Sequence, residues 1–107
     1  MVGGTKMKEH ILKFERGPSK KKYTAYIKNN KTHKIRKIHF GARDYQQYRD
    51  STPLHLYSYK DHKDKKRMGR YYSRHSGTKK RGEGIEKEKR KSRGIYNAKI
   101  LSHVYLW

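Results

Sequence analysis

Before Gly41 the chain alternates between apolar and polar residues in three separate stretches. Glu9 to Glu15 (EHILKFE) puts Leu12 and Phe14 on one face of a short strand. Tyr23 to Lys28 (YTAYIK) is rich in aromatic and β-branched residues and reads as the strongest strand. His33 to Phe40 (HKIRKIHF) places Ile38 and Phe40 on one face and Ile35 on the other. Gly17-Pro18 punctuates the first connection, and Asn29-Asn30-Lys31-Thr32 suits a tight turn because Asn tolerates positive φ. The pattern predicts a three-stranded antiparallel meander, about the smallest sheet that can stand alone.

The period then changes. Ala42 to Asp50 allows a helical turn with Tyr45 and Tyr48 on one face, and Ser51-Thr52-Pro53 breaks it. A longer helix is predicted over residues 59–75. Ser58 followed by Asp61 has the spacing of an N-terminal cap, Asp61 and Asp64 fall in its first turns, and Arg70 and Arg74 in its last. Gly77 stands where a left-handed residue would end it. Met68, Tyr71, Tyr72 and His75 form a narrow stripe among Lys63, Lys65, Lys66, Arg67, Arg70 and Arg74. The expected core joins Leu54, Leu56, Met68, Tyr71 and Tyr72 to Leu12, Phe14, Ile38 and Phe40.

Beyond Gly77, residues 78–94 hold a single large apolar residue, Ile85, in a lysine-rich run. A flexible basic arm is expected there, with a short solvated helix at IEKEKRK as the alternative. Residues 95–107 carry one charge, Lys99, among many apolar side chains. Such a segment either completes the domain's own core or anchors the chain in a partner. The predicted architecture is therefore α+β: a small three-stranded antiparallel meander packed on one helix, with extended basic arms. Its parts are an N-terminal arm (1–8), a core (9–77), a basic linker or arm (78–94) and an apolar C-terminal anchor (95–107).

Composition narrows the function. The chain has 107 residues, 31% hydrophobic and 36% charged, with a formal net charge of +21. So little apolar surface favours disorder, yet ten tyrosines argue for a small folded centre. A charge of this size repels itself, so nucleic acid, an anionic membrane or an acidic protein surface is expected to supply the counter-charge. No cysteine is present, so neither a disulfide nor a thiolate metal site is available. No apolar run is long enough to span a bilayer, and no secretory leader or myristoylation pattern is expected.

Catalytic chemistry finds little support. Tyr71, Tyr72, Arg74 and His75 could start a nuclease site, but nine acids leave few candidates for its base and metal ligands. Seven histidines are scattered without the spacing of a zinc site. No enzyme activity, cofactor or metal is expected. The candidate partner-binding residues are Arg67, Arg70, Tyr71, Tyr72 and Arg74 on the helix, and Tyr96, Ile100, Leu101, Val104, Tyr105, Leu106 and Trp107 in the C-terminal segment.

Several stretches in order carry a resemblance: the Tyr23/Tyr26 strand, Ile38 to Gly41 (IHFG), Asp44 to Asp50 (DYQQYRD), Lys60 to Gly77 (KDHKDKKRMGRYYSRHSG) and Asn97 to Trp107 (NAKILSHVYLW). Together they resemble a group of small basic proteins from large nucleocytoplasmic DNA viruses of algae and amoebae. The resemblance covers most of residues 20–107. It implies a virion component of an icosahedral double-stranded DNA virus, on the inner side of a double-jelly-roll capsid above an internal membrane. In that setting the chain would be a minor capsid protein, cementing the major capsid protein and other minor capsid proteins to each other or to the anionic inner membrane. The alternative is an internal DNA-binding protein that neutralises the packaged genome. A cement protein would bury its aromatics on partners, whereas a genome binder would keep a continuous basic face.

Overall fold

The computed structural model describes residues 4–107 of the chain. Strands β1 (Glu9–Arg16), β2 (Lys21–Asn29) and β3 (Ile35–Ala42) form an antiparallel meander in the order β1-β2-β3. A 3₁₀ turn (Ser58–Lys60) and helices α1 (Lys65–Ser76), α2 (Arg81–Lys91) and α3 (Ala98–Tyr105) follow. The fold is α+β, as predicted, in a slab of about 39 × 37 × 19 Å.

Both hairpins form for local reasons. Gly17 lies so close to the returning strand that a Cβ would sit 2.8 Å from the Lys21 carbonyl oxygen. The Asn29 side chain accepts hydrogen bonds from the Lys31 and Thr32 amides, which closes the second turn. Tyr23 lies opposite Phe40, and Ala25 opposite both Ile38 and Phe14, so these five share the buried face. Ile35 points the other way and is exposed. Leu12 departs from expectation. The register shifts between Ile11 and Lys13, and this irregularity takes Leu12 out of the alternation and leaves it 45% exposed.

The segment between β3 and α1 is not helical at Ala42 to Asp50. It is an ordered loop tied by Asp50, whose carboxylate accepts from the Tyr23 hydroxyl, the Thr52 amide and hydroxyl, and the Tyr57 amide. Tyr57 thereby packs edge-on against Tyr23 at 5.4 Å. Helix α1 also starts later than predicted. Asp64, not Ser58, caps it by accepting from the amides of Lys66 and Arg67. Asp61 is drawn into the loop instead, bonding Gln47 and the Asp50 amide, and Lys63 adopts a left-handed φ of 54° that no helix interior accepts. The predicted end is correct: Gly77 has φ 68° and returns its amide to the Ser73 carbonyl.

What covers the sheet differs from the prediction. Leu101 and Leu106 of the C-terminal segment join Tyr23, Ala25, Ile27, Ile38, Phe40 and Tyr57 in one core. Helix α3 therefore occupies the place assigned to α1, because residues 95–107 hold the densest apolar surface in the chain. Tyr71, Tyr72 and Ile100 are buried outside that cluster. The basic arms are also replaced by structure. Residues 81–91 are helix α2, and Gly84 brings it so near α1 that a Cβ would lie 2.6 Å from the Tyr72 ring. At the other end Thr5 bonds Glu86, and the Lys8 amide bonds the Gly94 carbonyl. Residues 1–3 of the expected N-terminal arm lie outside the described residues.

Candidate nucleic-acid interface

A cleft of about 640 Å³ opens between the start of β2, the end of β3, α1 and α3. Its floor is apolar: Phe40, Leu106, Trp107 and the ring of Tyr71 line it. Gly41 makes room for this floor, since with φ 79° a Cβ there would meet Leu106 at 2.8 Å. Trp107 stacks on Tyr71 with centroids 4.3 Å apart and planes 4° from parallel, and His62 approaches the indole at 5.2 Å.

The rim is cationic. Arg67 and Arg74, two turns apart on α1, stand on one side with His75, and Lys21 and Lys99 complete it. The Arg67 guanidinium donates to the side chain of Gln46, which also lines the cleft, at 2.9 Å. Lys99 lies 3.8 Å from Glu88, so its charge is partly balanced. Among the described residues no aspartate or glutamate side chain lines the cleft. The reason is scarcity: eight of the nine acids are engaged elsewhere, and Asp44, near enough to Lys22 to act on its charge, does not line the opening. Glu9 pairs with Arg36 and Glu15 with Lys13. Asp50, Asp61 and Asp64 hold the loop and the cap, Glu83 meets Lys80, and Glu86 and Glu88 tie α2.

Lys22 differs from its neighbours. Its ammonium is buried under the rim, donating to the carbonyls of Ala42 and Tyr45 at 2.7 and 2.6 Å. Burial and the nearby positive charge of Lys60 bring its pKa down to about 8. Lys22 thus shapes the loop that carries Tyr45, a residue 73% exposed that lines the cleft. His75 is also held below its ordinary pKa, first by burial and then by Arg74 and Lys99, which favours the neutral ring at neutral pH.

Behind Tyr71 runs a buried polar chain. Ser76 donates to Glu88 at 2.9 Å, which uses its only proton. His103 Nε2, 2.7 Å from the Ser76 oxygen, must then be the donor, and Nδ1 accepts from the Tyr71 hydroxyl at 2.9 Å. Tyr72 donates to the His103 carbonyl. Burial pushes both phenols well above the ordinary tyrosine range, which keeps them protonated donors. Burial brings His103 down to about 4, keeping the ring neutral. Ser76 stands between His103 and Glu88, rather than at the end of a relay, and is itself buried. The chain clamps α1, α2 and α3 together.

Of the residues singled out in the sequence, Arg67, Tyr71, Arg74, Leu106 and Trp107 meet at the cleft. Arg70 lies on another side of α1 with Lys65, Lys66 and Lys79. Tyr72, Ile100, Leu101 and Leu106 are buried inside the chain, and Tyr96, Val104 and Tyr105 are half-buried. The C-terminal segment therefore completes the domain's own core, the alternative weighed beside the anchor. Lys21, Lys22, Tyr45 and Lys99 were missed. Only the lysine run at Lys20 to Lys22 hinted at them, because their convergence depends on long-range folding.

Among the described residues no helix is long and apolar enough to cross a membrane, and no three metal-capable side chains cluster. No protein-family model, no curated protein and no solved structure matches the chain.

Proposed function

We propose that this chain is a nucleic-acid-binding protein and, in the viral setting its resemblance implies, an internal virion protein that neutralises packaged genome. One observation carries the proposal. Lys21, Arg67, Arg74 and Lys99 converge on a cleft lined by no aspartate or glutamate side chain, while the apolar C-terminal segment is consumed by the fold itself. Phosphates are the counter-charge such a rim suits, and counterion release would supply most of the affinity. The order of the two alternatives drawn from the sequence is thereby reversed.

The capsid-cement reading keeps one specific support. Leu12 and Leu54 are 45% and 41% exposed and share a shallow groove with Ile11, Phe14, Pro53 and Tyr105. That strip would suit a capsid protein surface. Binding of a labelled duplex at rising salt, beside co-sedimentation with purified capsid shells, separates the two. Genome binding predicts a steep linear fall of log affinity with log salt. Retention on shells at salt that strips DNA, lost on Leu12→Asp, would favour cement instead.

A further inference from the structure

We infer that the cleft takes unpaired bases of a single strand on its floor, with the phosphates held at the rim. The inference rests on the nucleic-acid reading of this cleft and adds what the rim alone does not explain. A duplex presents phosphates to a basic surface and keeps its bases stacked inside, so it would engage the rim and leave the floor empty. Here the floor is apolar and aromatic: the half-buried Trp107, stacked on Tyr71, is its accessible part, with the buried Phe40 and Leu106 packed beneath. Its volume, about 640 Å³, lies within the range that encloses a flat organic group, far beyond what a phosphate needs.

Tyr45 supplies the second observation. It is among the most exposed large side chains of the protein, yet its backbone is fixed by the buried Lys22 ammonium and by its own amide bond to Ala42. A rigidly carried, solvent-facing ring beside cations is the arrangement that stacks a base while neighbouring charges hold the backbone. Arg67 and Arg74 lie on the same side of α1, so they could contact successive phosphates of one strand. The guanidinium of Arg67 is already oriented by Gln46, which lowers the ordering cost of binding.

Trp107 is the only tryptophan of the chain and lies in the floor, so it reports occupancy directly. The full chain is titrated with three probes: an oligothymidylate of about ten nucleotides, a duplex of equal length, and an abasic strand that keeps the phosphates without bases. Trp107 emission and probe anisotropy are followed together. The oligothymidylate is expected to quench Trp107 and to bind roughly tenfold tighter than the abasic strand. Tyr45→Ala should erase most of that difference, whereas Tyr59→Ala, an exposed tyrosine that does not line the cleft, should preserve it. Equal binding of base-bearing and abasic strands, or tighter binding of the duplex with Trp107 unchanged, overturns the inference and leaves the electrostatic reading standing. Failure of all three probes to bind removes that reading as well. Phosphatidylserine vesicles that alter Trp107 emission where the oligonucleotide does not would assign the floor to lipid and also overturn it.

Discussion

The two sides of α3 are built differently. Toward the sheet, Leu101 and Leu106 meet Tyr23, Ile38 and Phe40 in a dry core, where the Tyr23 hydroxyl donates to the buried Asp50 and the Tyr57 hydroxyl accepts from Arg16. Toward α1 and α2, the contacts run through Tyr71, Ser76, Glu88 and His103, a chain of hydrogen bonds with one consistent set of donors. A chain with 31% hydrophobic residues has enough apolar surface for one dry core and closes the rest with polar groups. The cleft spans both halves: its floor rests on the dry one, and its Arg67 and Arg74 ride on the polar one. Fold and charge are thus divided, and the cationic rim depends on the side that is easier to disturb.

The largest test breaks the dry side. Leu101→Ala should cost about 2–5 kcal/mol and lower the melting temperature of the whole domain in one transition. On the polar side Ser76→Ala leaves both His103 and Glu88 without that partner, at about 1–3 kcal/mol. Hydrogen exchange should then speed up in α1 and α2 while β2 keeps its protection. Equal loosening of both regions would mean that the two halves are one cooperative unit.

Acid sharpens the comparison. The folded state holds His103 near 4 against an ordinary 6.5, so the unfolded chain binds more protons between these values. Stability should therefore fall as the pH drops from about 6.5 towards about 4, with His62 and His75, also lowered, acting in the same direction. Glu88, His75, Lys99 and Arg81 supply the charges around His103. His103→Gln should flatten this slope, read as the pH dependence of urea unfolding. The smallest effect is expected at the α1 cap: Asp64→Ala should cost about 0.5–2 kcal/mol, seen as fraying at Lys66 and Arg67.

How much of this could be seen beforehand follows the range of each interaction. The meander was legible, because alternation, Gly17 and the Asn29 turn act over a few residues. The end of α1 was legible at Gly77. Its start was not, since Ser58 and Asp64 are both cap residues and the choice is made by Asp61 joining a loop around Asp50. Helix α2 was legible only as the second choice at IEKEKRK, because it offers almost no apolar stripe; it is held by the buried carboxylate of Glu88 and by the absent side chain of Gly84. The α1 wall of the cleft was readable as Arg67, Tyr71 and Arg74 on one helical face. Lys21, Tyr45 and Lys99 reach it from distant parts of the chain, and beyond the lysine run at Lys20 to Lys22 nothing local marks them.

The claim that a specific cleft, rather than the net charge of +21, binds nucleic acid is tested most directly by paired charge removal. Arg67→Gln with Arg74→Gln is compared with Lys31→Gln with Lys34→Gln, which takes the same charge from the exposed β2–β3 turn. Affinity for a short oligonucleotide is measured across a salt series. The rim pair should weaken binding and reduce the salt slope by roughly 1 per cation removed, while the turn pair leaves both near wild type. Equal losses in the two variants would contradict the cleft and reduce the interaction to diffuse charge.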